Sequence, residues 1–131
     1  MQWLIDLIIE AIGIPPVFIS RGDPAGWDFT QATLTADGAR HEMDLSAIIP
    51  AGASAVSLRL GVRHSAIGKS FYVYPHGTVN VFNAIRCLNQ VSNISIEIDG
   101  VISLDSTRKV DYLLTNIVWD SVYVAVKGWW L

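Results

Sequence analysis

At 131 residues the chain has the length of one domain, and a chain of that size buries roughly two thirds of its unfolded surface, enough for a sizeable core. Nine Lys and Arg against twelve Asp and Glu give a formal charge of −3, with the basic residues scattered singly; that leaves no basic stripe of the kind nucleic-acid binding needs. Charged residues make up 16% and apolar residues 51%, against about 25% charged in an average domain, so the composition suits a subunit whose faces are covered by partners.

Residues 1–13 predict a short amphipathic helix. Trp3, Leu4, Ile5, Leu7, Ile8, Ile9, Ala11 and Ile12 surround a narrow polar stripe in which Gln2, Asp6 and Glu10 recur every four residues. Gly13 and the pair Pro15-Pro16 end it, because glycine suits the position after a helix and proline cannot continue one. The apolar span falls short of the about 20 residues that cross a bilayer, so no membrane span is expected, and Met1-Gln2 lacks the basic start of a secretory signal. Leu4, Leu7, Ile8 and Ala11 fall at the spacing of a helix seam, and Trp3 widens it. These five are the candidate partner contacts of an assembly or attachment arm, with a plug for the sheet core as the alternative.

Residues 17–131 form the expected sandwich domain. Val17-Phe18-Ile19 reads as a short strand, and Arg21-Gly22-Asp23-Pro24-Ala25-Gly26 as a loop whose Arg-Gly-Asp triplet is a chance match. Asp28 to Thr35 is a second expected strand, and Asp37-Gly38 a hairpin turn into Arg40 to Leu45. There His41, Met43 and Leu45 alternate with Arg40, Glu42 and Asp44. Strand neighbours point to opposite faces, so His41, Glu42 and Asp44 do not converge on a metal ion. After the loop Ile48 to Ala53, Ala55 to Arg63 is the clearest strand, with Val56, Leu58, Leu60 and Val62 facing one way and Ser57, Arg59 and Arg63 the other. Gly61 marks a bulge or a close approach.

Phe71 to Tyr74 and Val79 to Ala84 are the next expected strands, joined by the turn Pro75-His76-Gly77, while Ile85 to Asn93 stays open between strand and irregular crossing. Cys87 is the single cysteine, so no intrachain disulfide forms, and a small buried apolar role suits it. Ile94, Ile96 and Ile98 alternate with polar residues up to Asp99-Gly100, read as a hairpin turn into Val101 to Leu104. Ser106-Thr107-Arg108 turns the chain into Val110 to Leu114. Asp120 to Leu131 is a closing strand with Val122, Val124 and Val126 facing inward, and Trp129 and Trp130 are expected to pack on the body or a neighbour. Nine or so short strands with turn signals every eight to twelve residues predict an all-β antiparallel sandwich of jelly-roll type.

The motifs of chemistry are missing. No glycine-rich loop opens a helix, no cysteine pairs suit zinc, no Gly-x-Ser-x-Gly is present, and His41, His64 and His76 show no repeated spacing. Neither enzymatic activity nor a cofactor is expected.

Asp28-Phe29-Thr30, Leu34-Thr35, Asp37-Gly38, His41, Asp44-Leu45-Ser46, Pro50-Ala51-Gly52-Ala53, Ala55 to Arg59, Leu104-Asp105-Ser106 and Gly128-Trp129-Trp130 resemble small β-sandwich virion-surface proteins of tailed bacteriophages, of the head-decoration or fibre type. The likeness spans about Phe18 to Leu131 and rests on turns and core positions; the apolar opening segment departs from it. It implies a non-enzymatic structural protein of the virion, a homotrimeric cement protein that binds the major capsid protein on the head surface after assembly in the host cytoplasm. The competing expectation is a glycan-binding jelly roll of a phage fibre, with Trp27, Tyr72 and Tyr74 stacking on sugar. Aromatic rings side by side on an exposed sheet would favour sugar; rings buried between subunits would favour cement.

Overall fold

A computed structural model describes residues 15–131. The helix expected over residues 1–13, with Trp3, Leu4, Leu7, Ile8 and Ala11, lies outside the described residues. The described residues are all-β and hold no helix. Their strands are β1 (Phe18–Ser20), β2 (Phe29–Thr30), β3 (Arg40–Asp44), β4 (Ala55–Arg63), β5 (Ser70–Pro75), β6 (Ile85–Leu88), β7 (Ile96–Ser103), β8 (Lys109–Leu114) and β9 (Ser121–Trp130). They pair into two antiparallel sheets: β1-β9-β4-β7 with β2 also on β9, and β3-β8-β5-β6.

Alternation decides which sides meet. Val56, Leu58, Leu60 and Val62 of β4 and Val122, Val124 and Val126 of β9 are fully buried, and they meet Phe71, Val73, Val110, Tyr112 and Leu114 of the opposite sheet. Period two puts each set on one face, and the two apolar faces close on each other in a β-sandwich-like core. Leu45, Ile49 and Ala53 seal one margin of it from the loop before β4. Arg108 holds that loop by donating to the carbonyls of Ser46 and Ile49 at 3.3 and 2.9 Å.

One bulge resets the last strand. Leu58 pairs with Val126 but Ser57 pairs with Gly128, so Lys127 is the extra residue on β9. The parity flips there: Trp129, opposite Val56, packs against the core, while Trp130 meets Phe18 with ring centroids 4.8 Å apart.

Three expectations are corrected. Residues 79–84 are a loop, because β5 already has β6 and β8 on its two edges and a further strand there has nothing to join. Of residues 28–35 only Phe29 and Thr30 pair; the amides of Thr33 and Leu34 donate back to the Thr30 carbonyl and wind the chain into a turn. Asp99-Gly100 is no hairpin: β7 runs straight through it, with Asp99 opposite Arg59 and Gly100 opposite Leu58. Gly100 is there for space, since a Cβ would lie 2.4 Å from Ile85 Cδ1, which fills that site from the other sheet. On β7 Ile96 and Ile98 are half-buried at the edge of the sheet and pack against the core, while Ile94, before the strand, is exposed.

Candidate functional site

A groove of about 430 Å³ lies on the outer face of the five-stranded sheet, between the loop after β1 and strands β4 and β9. Its loop is built as a staple. Arg21 donates to both carboxylate oxygens of Asp28, at 2.5 and 2.8 Å, and to the carbonyl of Val126 at 3.2 Å. Asp28 in turn accepts from the Val126 amide at 2.8 Å, and its own amide donates to the Val124 carbonyl. The arginine of the Arg-Gly-Asp triplet is thereby committed to the protein's own loop.

The staple fixes Trp27, the residue before Asp28. Its indole is 46% exposed and rests on Tyr123 with centroids 4.3 Å apart. Tyr123 lies flat on the sheet because Gly61 offers no side chain; a Cβ there would sit 2.0 Å from the ring. The Tyr123 hydroxyl donates to Glu97 at 2.8 Å, and burial, then that bond, push its phenol up to about 12. Across the groove floor Arg59 donates to Asp99 at 2.9 and 3.3 Å and Lys127 donates to it at 2.8 Å. The Arg59 hydrogen bond first and the Lys127 bond second hold the Asp99 carboxyl at about 2.

On the outer face of the four-stranded sheet Tyr72 and Tyr74 stack at 5.7 Å and 14°. The Arg40 guanidinium lies 3.7 Å over the Tyr74 ring and donates to the carbonyls of Thr78 and Val79, and Tyr74 is only 3% exposed. Arg86 stands 5.4 Å over Tyr72. Beside them His76 Nδ1 contacts Asp111 at 2.8 Å, and that hydrogen bond raises the imidazole pKa above its ordinary value. Of the three aromatic side chains expected to stack on a ligand, Trp27 has the open ring, Tyr74 is covered, and Trp27 lies on the opposite sheet from the tyrosine pair.

Apolar side chains crowd the loops. Phe82 is 94% and Val79 84% exposed in the β5–β6 loop. At the other end Asn89 binds the carbonyls of His64 and Ala66 at 3.1 and 2.6 Å and accepts from the Gly68 amide, tying the β4–β5 and β6–β7 loops together. The His64 ring meets Trp119 edge-on at 6.0 Å and adds the β8–β9 loop. This joined end carries exposed Ile67, Val91, Ile94 and Val118, the last at 90%, beside a pit of about 210 Å³ walled by Leu34, Ile117 and Trp119. Sequence reasoning missed these loop residues, since a strand pattern and a loop pattern share the same apolar spacing over short runs.

The remaining candidates separate. His41 contacts Asp37 at 2.8 Å, Glu42 pairs with Lys109 at 3.0 Å, and Asp44 accepts from the Ser46 amide at 2.9 Å. Among the described residues no group of three or more His, Cys, Asp or Glu is placed to hold a metal ion, and no helix is long and apolar enough to cross a membrane. Cys87 is buried against the Ile96 carbonyl, and burial pushes its thiol up to about 11, far from a reactive thiolate. Scans of the chain against protein-family models and against curated proteins find no match.

Proposed function

We propose that the chain is a non-enzymatic assembly subunit of jelly-roll type, a homotrimeric decoration or cement protein on the surface of a bacteriophage head. The observation that carries this reading is the solvent exposure of Phe82, Val118 and Val79 at the two ends of the sandwich. Exposed large apolar side chains grouped on loop tips are costly to a lone monomer and suit a surface covered by another subunit. The strand order supports the jelly roll: β2-β9-β4-β7 over β3-β8-β5-β6 is what a long folded hairpin gives when its arms pair outermost with outermost and then wrap. The phage assignment rests on the sequence resemblance, as do the major capsid protein as partner and assembly in the host cytoplasm.

The apolar segment of residues 1–13 and Trp130 are the contacts assigned to assembly, with Trp130 and Phe18 forming an aromatic ledge, while Trp129, expected to share that role, packs against the core. Deleting residues 1–13 should leave a folded sandwich that no longer decorates phage heads or no longer trimerises, checked by circular dichroism and by imaging heads mixed with the protein. Unfolding of the truncated chain, where the intact one is a stable monomer, would make that segment part of the core instead. A second reading, a glycan-binding module of a phage fibre, is favoured by one observation, the open Trp27 ring lining the groove of about 430 Å³.

A further inference from the structure

Where it leaves β5, the β5–β6 loop of residues 76–84 folds onto the outer face of the four-stranded sheet, and it is held there by polar groups alone. Its apolar side chains point away from the body: Val79, Val81 and Phe82 are 84%, 51% and 94% exposed, and no residue of the loop is buried. His76 Nδ1 and the Gly77 amide both meet the carboxylate of Asp111, at 2.8 and 3.0 Å. Arg40 reaches over from β3 and donates to the carbonyls of Thr78 and Val79. Among the described residues, the amides of residues 79–83 have no backbone acceptor. A segment that buries no apolar surface opens at far less cost than the core beneath it. Under it lie Tyr74, 3% exposed with the Arg40 guanidinium over its ring, and Asp111, 9% exposed.

One of these polar ties changes charge near neutral pH. Carboxylates from three elements act on His76: Asp111 of β8, whose hydrogen bond is the largest influence, then Asp105 of the β7–β8 turn and Glu42 of β3. All three favour the imidazolium, partial burial opposes them, and the net shift is upward. The cations nearby are already engaged, Lys109 by Glu42 at 3.0 Å and Arg40 by the loop carbonyls. A neutral ring still donates one proton from Nδ1, but the charged ring makes the stronger bond to a carboxylate. We infer that this loop is a pH-sensitive strap: the His76–Asp111 contact latches it over Tyr74, and loss of the His76 proton loosens it while the sandwich stays folded. The folded imidazole titrates above its ordinary 6.5, so the latch is complete below that value and is lost as pH rises through the raised one. The strap works on its own contacts, whether or not its apolar tip meets another copy.

The Gly77 amide, whose acceptor is Asp111 Oδ2, reports the opening. In the 15N-labelled full-length chain its hydrogen-exchange protection, corrected for the intrinsic rate, is followed from about pH 5 to 8 together with the His76 ring nitrogens. Protection should fall by about threefold to tenfold at the midpoint of the His76 titration, while the Leu60 amide in the central strand β4 stays far better protected throughout. Asp111→Asn keeps an acceptor and removes the charge, so the His76 midpoint should drop toward its ordinary value and the Gly77 step should vanish. His76→Gln, in a loop with no buried side chain, should remove the step with the fold intact by circular dichroism. Gly77 protection that stays flat across the His76 titration, or a step that survives His76→Gln, would overturn the latch. Gly77 protection equal to that of Leu60 would show the loop opening only with the whole sandwich and would overturn the strap.

Discussion

At Gly61 a methyl group would approach Tyr123 to 2.0 Å, and the ring has no room to slide because Trp27 covers its outer side and its hydroxyl is bound to Glu97. Gly61→Ala should therefore cost about 1–3 kcal/mol, the usual penalty for overfilling a packed site, read as a lower urea midpoint at unchanged slope. It should also quench or shift the Trp27 signal, which a purely local strand effect would leave alone. Asp99 carries a pH prediction of definite sign. Its carboxyl falls from the ordinary 3.8 to about 2 in the folded chain through Arg59 and then Lys127. A folded value below the unfolded one stabilises at pH above the unfolded value and is lost as pH falls through the folded one. Stability should thus decline between about pH 4 and 2 by an amount that Asp99→Asn removes, measured as the difference between their denaturation curves across that window.

Strands β4 and β9 carry the strongest period-two signal, and they are the pair at the centre of the five-stranded sheet. Leu58→Ala should destabilise the fold by about 2–5 kcal/mol, as removal of a fully buried leucine does; a change under about half a kcal/mol would place Leu58 outside the core. Alternation made these strands legible because each of their side chains answers to one face only. What was illegible depends on partners distant in sequence. The bulge at Lys127 that turns Trp129 inward is set by register against Ser57 and Leu58. Asp99-Gly100 carries the residues of a tight turn, yet Gly100 is required by Ile85 from the opposite sheet. Residues 79–84 have strand composition, but both edges of β5, the strand that precedes them, are taken by β6 and β8. Of the candidate groove, Trp27 stood out as an exposed-type aromatic, but its support by Tyr123 and Gly61, and the pairing of Arg21 with Asp28, join residues that no local pattern links.

Across the whole molecule, period-two runs and the turn spacing were enough to indicate an all-β fold of two antiparallel sheets, while the exposed apolar side chains lie in loops that composition cannot place. The apolar tips at Phe82 and Val118 lie at opposite ends of the sandwich, the first in the β5–β6 loop and the second at the end tied by Asn89. Under the proposed function, these two separated apolar ends would meet like copies through one and a lattice through the other. The mass in solution most directly tests the proposed assembly of this chain with copies of itself. Light scattering of the intact protein over the micromolar range should give the mass of three 14.4 kDa chains; a concentration-independent particle of 14.4 kDa would contradict it.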